Sequence, residues 1–106
     1  MPNEKHKVLV NTSTLMQGGG LQVAAAFIVH AVKDPLAENW QFLISGGVAR
    51  ELTGFGIDPH GPAFHIFERS PARNRTERLR VLAIESAFQP DVVFTLFGPA
   101  YVRFRS

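Results

Sequence analysis

Short apolar runs alternate with longer segments of helical spacing along this chain. The four apolar runs are rich in Val, Ile, Leu and Phe, as is typical of parallel strands covered on both faces. They span residues 7–11, 40–45, 63–67 and 91–97. Because helix-like segments separate them, the chain predicts the order β-α-β-α-β-α-β, which requires a parallel sheet with right-handed crossovers.

The first two helical segments differ in length and in how they end. Residues 21–33 are apolar on nearly every side and predict a heavily buried helix, which the Asp-Pro pair at 34–35 ends. Residues 47–52 predict a short helix that Gly54 ends. The glycines and prolines of 53–62 predict a loop before the third strand.

The third helix carries the clearest start signal. Asn74 is its predicted N-cap, because Glu77 stands three residues later in the capping-box position. Apolar residues at helical spacing extend the helix to about Phe88, where the Gln-Pro pair at 89–90 stops it.

This element order predicts an α/β, Rossmann-like three-layer domain over residues 1–106, with four parallel strands in the order 3-2-1-4. The direction of the crossovers reverses between strands 1 and 4. In open sheets, ligands bind beyond the carboxyl ends of the strands at such a switch. Because the segments 17–20 and 98–101 follow those two strands, we expect them to meet there.

Composition limits the chain to one domain without cysteine chemistry. It has 106 residues, of which 45% are hydrophobic and 19% charged, as in ordinary globular domains. With no cysteine it offers no disulfide, thiolate nucleophile or zinc–sulfur site. No apolar run approaches the roughly 20 residues of a membrane span, and the polar N-terminus lacks a secretory signal. These features predict a cytoplasmic protein.

The basic residues are clustered although the net charge is only +2. Within twelve positions the chain carries Arg69, Arg73, Arg75, Arg78 and Arg80. Such a cluster can attract phosphates or anionic surfaces, but a solvated loop and helix face is the more economical interpretation. Aromatic residues do not alternate with these arginines as base stacking requires, so no nucleic-acid partner is expected.

Gly18, Gly19 and Gly20 precede the first predicted helix and form the first candidate site. Glycines let backbone N–H groups approach a phosphate at the positive end of a helix dipole, without a Cβ in the way. The same residues also suit a tight turn with close helix packing, and both interpretations stay open. Val23 stands where the dinucleotide fingerprint needs its third glycine, and no Gly-Lys-Ser/Thr follows for a P-loop. A nicotinamide or flavin cofactor is therefore not expected.

Polar side chains lie just before these glycines. Thr12, Ser13, Thr14 and Gln17 carry hydroxyl and amide groups that can hydrogen-bond sugar hydroxyls or phosphate oxygens. A loop that satisfies its own turns explains them equally well.

The four histidines show no metal-ligand spacing, and no metal site is predicted. His30 falls on the first helix and His65 on the third strand, between Phe64 and Ile66. Both are expected to be buried or half-buried structural residues.

Several of these features together resemble the start of a retaining glycosyltransferase of the two-domain GT-B type. They are the strand 7–11, the triple-glycine turn leading into Leu-Gln-Val-Ala at 21–24, and the run 90–99 that begins Pro-Asp-Val-Val. The chain is most similar to the large family-4 group, which uses nucleotide-sugar donors. The resemblance spans nearly the whole chain.

The resemblance implies roles for particular residues. In that family the N-terminal domain mainly holds the acceptor, and its glycine loop approaches the donor phosphates, a role that would fall to Gly18, Gly19 and Gly20. The acceptor side of the cleft would include Ser13, Thr14, Gln17, Gly98 and Tyr101, with Pro99 and Ala100 between the last two. The family's C-terminal donor domain, and a histidine that members often place beyond the fourth strand, have no counterpart here. No catalytic residue is therefore assigned.

The resemblance thus implies the N-terminal, acceptor-side portion of a glycosyltransferase. The whole enzyme would move a glycosyl group from a nucleotide sugar to a hydroxyl acceptor, and this portion would be inactive alone. Its partners would be that donor and acceptor, with peripheral membrane contact and self-association through exposed sheet edges as further options. Two alternatives are a freestanding module that holds a phosphorylated small molecule and an interaction domain completed by a partner or second copy.

Overall fold

The computed structural model describes residues 6–16 and 18–96, which form four strands, three α-helices and a 3-10 helix. The strands are β1 (Val8–Thr12), β2 (Gln41–Ser45), β3 (Phe64–Phe67) and β4 (Val92–Thr95). The helices are α1 (Gly20–Val32), α2 (Gly46–Gly54) and α3 (Arg75–Phe88), and the 3-10 helix is Pro35–Ala37. The predicted order of elements is confirmed, apart from the 3-10 helix, which the sequence did not predict.

The four strands form one parallel sheet in the order β3-β2-β1-β4. This confirms the predicted α/β, Rossmann-like arrangement. β1 lies at the switch point, between β2 and β4. Its pairing with β2 begins at Leu9 and Gln41, and its pairing with β4 begins at Val8 and Val92. Two helices on one face and one on the other follow from this order, because right-handed crossovers in opposite directions lie on opposite faces.

Two apolar clusters hold the layers together. The larger lies between the sheet and helices α1 and α2, and its buried members are Val10, Ala24, Ala25, Ile28, Ala31, Ala37, Phe42, Ile44, Val48, Ala49 and Leu52. The smaller lies between the sheet and α3, with buried Leu9, Leu43, Phe67 and Val81. Alternation along each strand separates the two sets, since Leu9 and Val10 point to opposite faces.

The prediction that α1 is buried on nearly every side is wrong. Its buried residues form a single stripe, Ala24, Ala25, Ile28 and Ala31, whereas Val23 is 56% exposed and Val32 is 40% exposed. His30 is also exposed, which corrects its expected burial. An apolar pattern marks residues that tolerate burial, and the neighbours present decide which of them are covered.

β4 is likewise less covered than predicted. Val92 is 52% exposed and Phe94 is 45% exposed, although the Phe94 ring lies 5.8 Å from that of Phe27 on α1. Val23 lies one helical turn before Phe27. We call Val23, Phe27, Val92 and Phe94 the β4 patch, an apolar surface at one edge of the described sheet.

Local signals set the ends of the elements. The Asn74 side chain accepts a hydrogen bond of 2.9 Å from the Glu77 amide, which confirms the predicted N-cap of α3. Gln89 ends that helix in a left-handed conformation with φ of 52°. Asp34 accepts from the Leu36 amide at 2.9 Å and so starts the 3-10 helix.

No helix within the described residues is long and apolar enough to cross a membrane.

Candidate functional site at the carboxyl edge of the sheet

The glycine turn leads directly into α1. Gly18 has φ of +95°, a conformation that side chains rarely adopt, and Gly19 is the N-cap of the helix. A Cβ added at either position would meet none of the described residues within 4 Å, and both glycines are exposed. Gly20 is the first residue of the helix. The structure therefore places the three predicted phosphate-binding glycines together at one helix start.

No side chain in the described part of the chain caps this helix start. Gly19 can offer no capping oxygen, and the first turn of α1 contains no acidic residue. The positive end of the α1 dipole thus faces solvent at the glycine turn with no carboxylate of its own turn beside it.

The start of α2 lies beside that of α1 and is filled by the protein's own groups. Buried Ser45 caps it by accepting from the Val48 amide at 3.1 Å. A Cβ at Gly46 would collide with the Glu68 carboxylate, which also lies 4.0 Å from a guanidinium nitrogen of Arg50. α1 and α2 therefore begin at the same edge of the sheet, but they differ in their space for an anion. The start of α1 is open, whereas the start of α2 is occupied by Ser45 and Glu68.

Gly47 lies where the starts of α1 and α2 pack against each other. A Cβ there would lie 3.0 Å from both terminal methyl groups of Leu21 and 3.3 Å from the backbone oxygen of Met16. Glycine therefore lets the loop after β1 and the first turn of α1 pack this closely without displacing those atoms.

Thr12, the last residue of β1, and Ser13, which follows it, make hydrogen bonds inside the domain. The Thr12 hydroxyl donates to the Leu43 carbonyl at 2.9 Å. Ser13 is fully buried and donates to the Asn11 side-chain oxygen twice, from its amide at 3.1 Å and from its hydroxyl at 2.6 Å. Thr14 is half-buried. In this conformation Ser13 shapes the loop and does not present its hydroxyl to the surface, while its role as a cleft residue stays a prediction.

Asn11 is the residue at this edge that the sequence analysis missed. It is 1% exposed, and its Nδ2 has no hydrogen-bond partner among the described residues. It pairs in register with Thr95, so it lies where β1 and β4 separate. A buried donor without an acceptor costs stability unless another group supplies the acceptor. An asparagine inside an otherwise apolar strand is the signal that could have found it.

Several predicted site residues fall outside the described ranges. They are Gln17, Gly98 and Tyr101, together with Pro99 and Ala100. Their expected meeting with the glycine turn stays a prediction.

The arginine cluster is partly occupied by contacts within the domain. A guanidinium nitrogen of Arg78 donates to the carbonyls of Pro71 and Ala72 at 3.2 and 3.3 Å. Arg80 donates to the Ile66 carbonyl at 2.8 Å and lies 3.5 Å from Glu77. These contacts support the interpretation as a loop and helix surface.

His65 belongs to a second polar cluster, on the face of the sheet that α3 covers. Its Nε2 lies 2.7 Å from the Gln41 side-chain oxygen. Burial, with a smaller contribution from the nearby Arg80 guanidinium, lowers the pKa of His65 below its usual 6.5. His65 is half-buried, as predicted, and within the described part of the chain no three His, Asp or Glu side chains group to hold a metal ion.

No family model matches this chain, and comparison with curated proteins and with solved structures gave no significant match. The function of the chain is therefore inferred from its fold and from the contacts described above.

Proposed function

We propose that the carboxyl edge of the sheet binds the phosphate of a nucleotide sugar at the start of α1. On this proposal the chain is the N-terminal, acceptor-side portion of a GT-B glycosyltransferase that moves a glycosyl group to a hydroxyl acceptor. The observation that carries the proposal is the open, uncapped start of α1 at Gly18 and Gly19, beside an α2 start that is already filled.

A second observation supports a ligand at the same edge. The buried Nδ2 of Asn11 has no acceptor among the described residues and lies at the switch between β1 and β4. Crevices at this position are the usual ligand sites of open parallel sheets. A ligand oxygen that reached this crevice would accept the hydrogen bond that Asn11 lacks.

The chemistry required of these groups is electrostatic. Backbone N–H groups at the start of α1 would stabilise the negative charge that develops on the departing phosphate. Glycosyl transfer also requires the acceptor hydroxyl to be held against the sugar, which in a two-domain cleft takes groups from both sides. The described residues supply one side, so we expect binding without turnover.

The test compares two open glycines. Gly19→Val adds side-chain bulk where phosphate would approach. Since no atom of the described residues lies within 4 Å of the new Cβ, the fold should survive. Gly54→Val is the matched control, because Gly54 is equally open and also lies at a helix end, but at the far end of α2. The probes are inorganic phosphate and UDP, and the readout is the shift of the backbone amide signals of residues 18–22.

We expect both probes to shift these signals in the parent chain and in Gly54→Val. Gly19→Val should weaken binding by about tenfold or more, the loss of one or two charge-assisted hydrogen bonds. Unchanged binding in Gly19→Val, or no shift with either probe in the parent chain, would show that the glycines serve a turn only. UDP binding without phosphate binding would assign the contact to the nucleoside and also count against the proposal.

A separate measurement addresses the two-domain part of the proposal. The polypeptide isolated from its native cell should have a mass several times 11.7 kDa and continue into a second α/β domain. A native polypeptide of 11.7 kDa that binds UDP would support the freestanding binding module instead.

The β4 patch favours self-association as a second candidate function. Exposed apolar side chains on an edge strand and its neighbouring helix are characteristic of contact surfaces. Sedimentation at rising concentration should show a dimer that Phe94→Glu abolishes. Phe55→Glu is the control, because Phe55 is 54% exposed but lies at the end of α2. A parent chain that stays monomeric at millimolar concentration would exclude this candidate.

A further inference from the structure

We propose that the groove between α3 and strands β2 and β3 binds a small organic anion whose charged group is attached to an apolar body. The groove has a volume of about 530 Å³. This lies within the range of about 300–1,000 Å³ that is usual for sites of small molecules. Gln41 is the first residue of β2 and Phe88 the last of α3, so the groove opens toward the amino end of the sheet.

One wall of the groove is apolar. Ala83, Ile84, Ala87 and Phe88 recur at the spacing of one helix face and line it from the α3 side. The two alanines leave the space that larger side chains would fill, while Ile84 and Phe88 are half-buried and pack on the smaller core cluster. An apolar ligand body would bury this wall.

Cations stand at both ends of that wall. The Lys7 ammonium lies 5.5 Å from the centre of the Phe88 ring and donates to the Phe88 carbonyl at 2.9 Å. The Arg80 guanidinium lies 4.3 Å from the centre of the Phe67 ring, and one of its nitrogens donates to the Ile66 carbonyl. Both side chains are already held in place, so little conformational entropy is lost when an anion binds. Among the described residues that line the groove none is acidic, and Glu77, which lies 3.5 Å from the Arg80 guanidinium, is outside this lining. The lining therefore favours an anionic ligand.

The Gln41–His65 pair adds a polar group to the sheet side of the groove. Because the Gln41 oxygen accepts, the neutral imidazole carries its proton on Nε2. Its Nδ1 is then a hydrogen-bond acceptor, available to a hydroxyl or N–H of the ligand. The groove thus combines donors for an anion with one acceptor beside the apolar wall.

A second cavity adjoins the groove. It has a volume of about 280 Å³, shares Lys7, Gln41 and Phe88 with the groove, and is also lined by Trp40. Trp40 is half-buried and offers an aromatic surface. A ligand with an aromatic body could therefore extend from the Lys7 end onto this ring.

This site is independent of the proposed function. The phosphate site lies at the carboxyl edge, around Gly18 and Asn11, whereas the groove opens toward the amino end of the sheet and shares no residue with it.

The probe for the groove is 1-naphthoate, with uncharged 1-naphthalenemethanol as its comparison. Titration of the whole chain should shift the amide signals of residues 83–88 with naphthoate and at least about tenfold more weakly with the alcohol, because a charged contact is lost. Inorganic phosphate should not displace naphthoate. This result would separate the groove from the site at the glycine turn.

Two variants with matched controls locate the binding. Lys7→Met removes one cation, and Lys33→Met removes an exposed lysine next to α1. Ala87→Phe fills the groove, and Ser86→Phe adds the same bulk to a neighbouring exposed position that does not line it. We expect Lys7→Met and Ala87→Phe each to weaken naphthoate binding about tenfold, and the two controls to change it less than twofold.

Three results would overturn the proposal. They are no naphthoate binding, equal affinity for the acid and the alcohol, or full affinity in Ala87→Phe with its circular dichroism spectrum unchanged. If Lys7→Met proves unstable, the Ala87→Phe and Ser86→Phe pair still decides the outcome, because both side chains are exposed on α3.

Discussion

The two faces of the sheet share the same four strands but differ in how they are covered. On the face of α1 and α2, the described core contains eleven buried residues, and Gly47 allows the two helices to pack closely. On the α3 face it contains four, beside the polar Gln41–His65 pair and a groove of about 530 Å³. One helix cannot cover four strands. The better-covered face should therefore carry most of the stability, and the other leaves polar groups and space accessible to ligands.

A matched pair of valines tests this difference most strongly. Val48 on α2 and Val81 on α3 are both 0% exposed, one in each cluster. Val48→Ala should lower the free energy of unfolding by about 2–3 kcal/mol, because its rigid surroundings keep the cavity open. Val81→Ala should cost about 1–2 kcal/mol, since α3 can settle toward the sheet. Urea unfolding measures both, and a larger loss for Val81→Ala would reverse the comparison.

Gly47→Ala tests the close packing on the better-covered face. The new Cβ would press on the Leu21 methyl groups, which can move, and on the Met16 backbone oxygen, which moves less readily. We expect the free energy of unfolding to fall by about 1–2 kcal/mol. Gly54→Ala is the control, because its Cβ meets nothing within 4 Å. It should be neutral or slightly stabilising, so equal losses in the two variants would show that packing at Gly47 is not tight.

Asn74→Ala tests how far α3 depends on its own cap. The variant removes the 2.9 Å hydrogen bond to the Glu77 amide and should cost about 1 kcal/mol. Asn74→Asp keeps an acceptor and should retain most of the stability. A loss in Asn74→Asp as large as in Asn74→Ala would show that the side-chain oxygen is not what stabilises the helix start.

The smallest effect concerns pH on the α3 face. The pKa of His65 is lower in the folded chain than its usual 6.5, so well above pH 6.5 the residue is neutral in both the folded and the unfolded states. As the pH falls through 6.5, the unfolded chain takes up the proton first and stability decreases. The urea midpoint should therefore drop less between pH 7.5 and 5.5 in His65→Gln than in the parent chain. Identical drops would show that His65 contributes no pH dependence.

The sequence predicted the parts of the fold that depend on local patterns. Strand order followed from the alternation of elements and the handedness of crossovers, and Asn74 was recognised from Glu77 three residues later. Which apolar side chains become buried was not predictable from such local patterns. Val23 and Phe94 are as apolar as buried residues, and their exposure depends on which neighbours pack on them.

The candidate sites also differ in whether they depend on residues that are close in the sequence. The glycine turn is contiguous in the chain and was found from the sequence. The unpaired amide of Asn11 was not, because only the completed β1–β4 pair shows that it is buried. The groove depends on residues as far apart as Lys7 and Phe88, which only the folded sheet and α3 bring together.

Arg80 has a consequence for the exposed edge of β3. β3 is an edge strand of the described sheet, and backbone groups at such an edge are a template on which another chain can add a strand. The Arg80 guanidinium lies over the Phe67 ring and donates to the Ile66 carbonyl at 2.8 Å. This carbonyl is therefore already engaged and is not free to pair with an added strand. A bulky cation thus stands at the edge where an incoming strand would have to pair. We therefore expect the residue that covers part of the smaller core also to hinder growth of the sheet by addition of further copies.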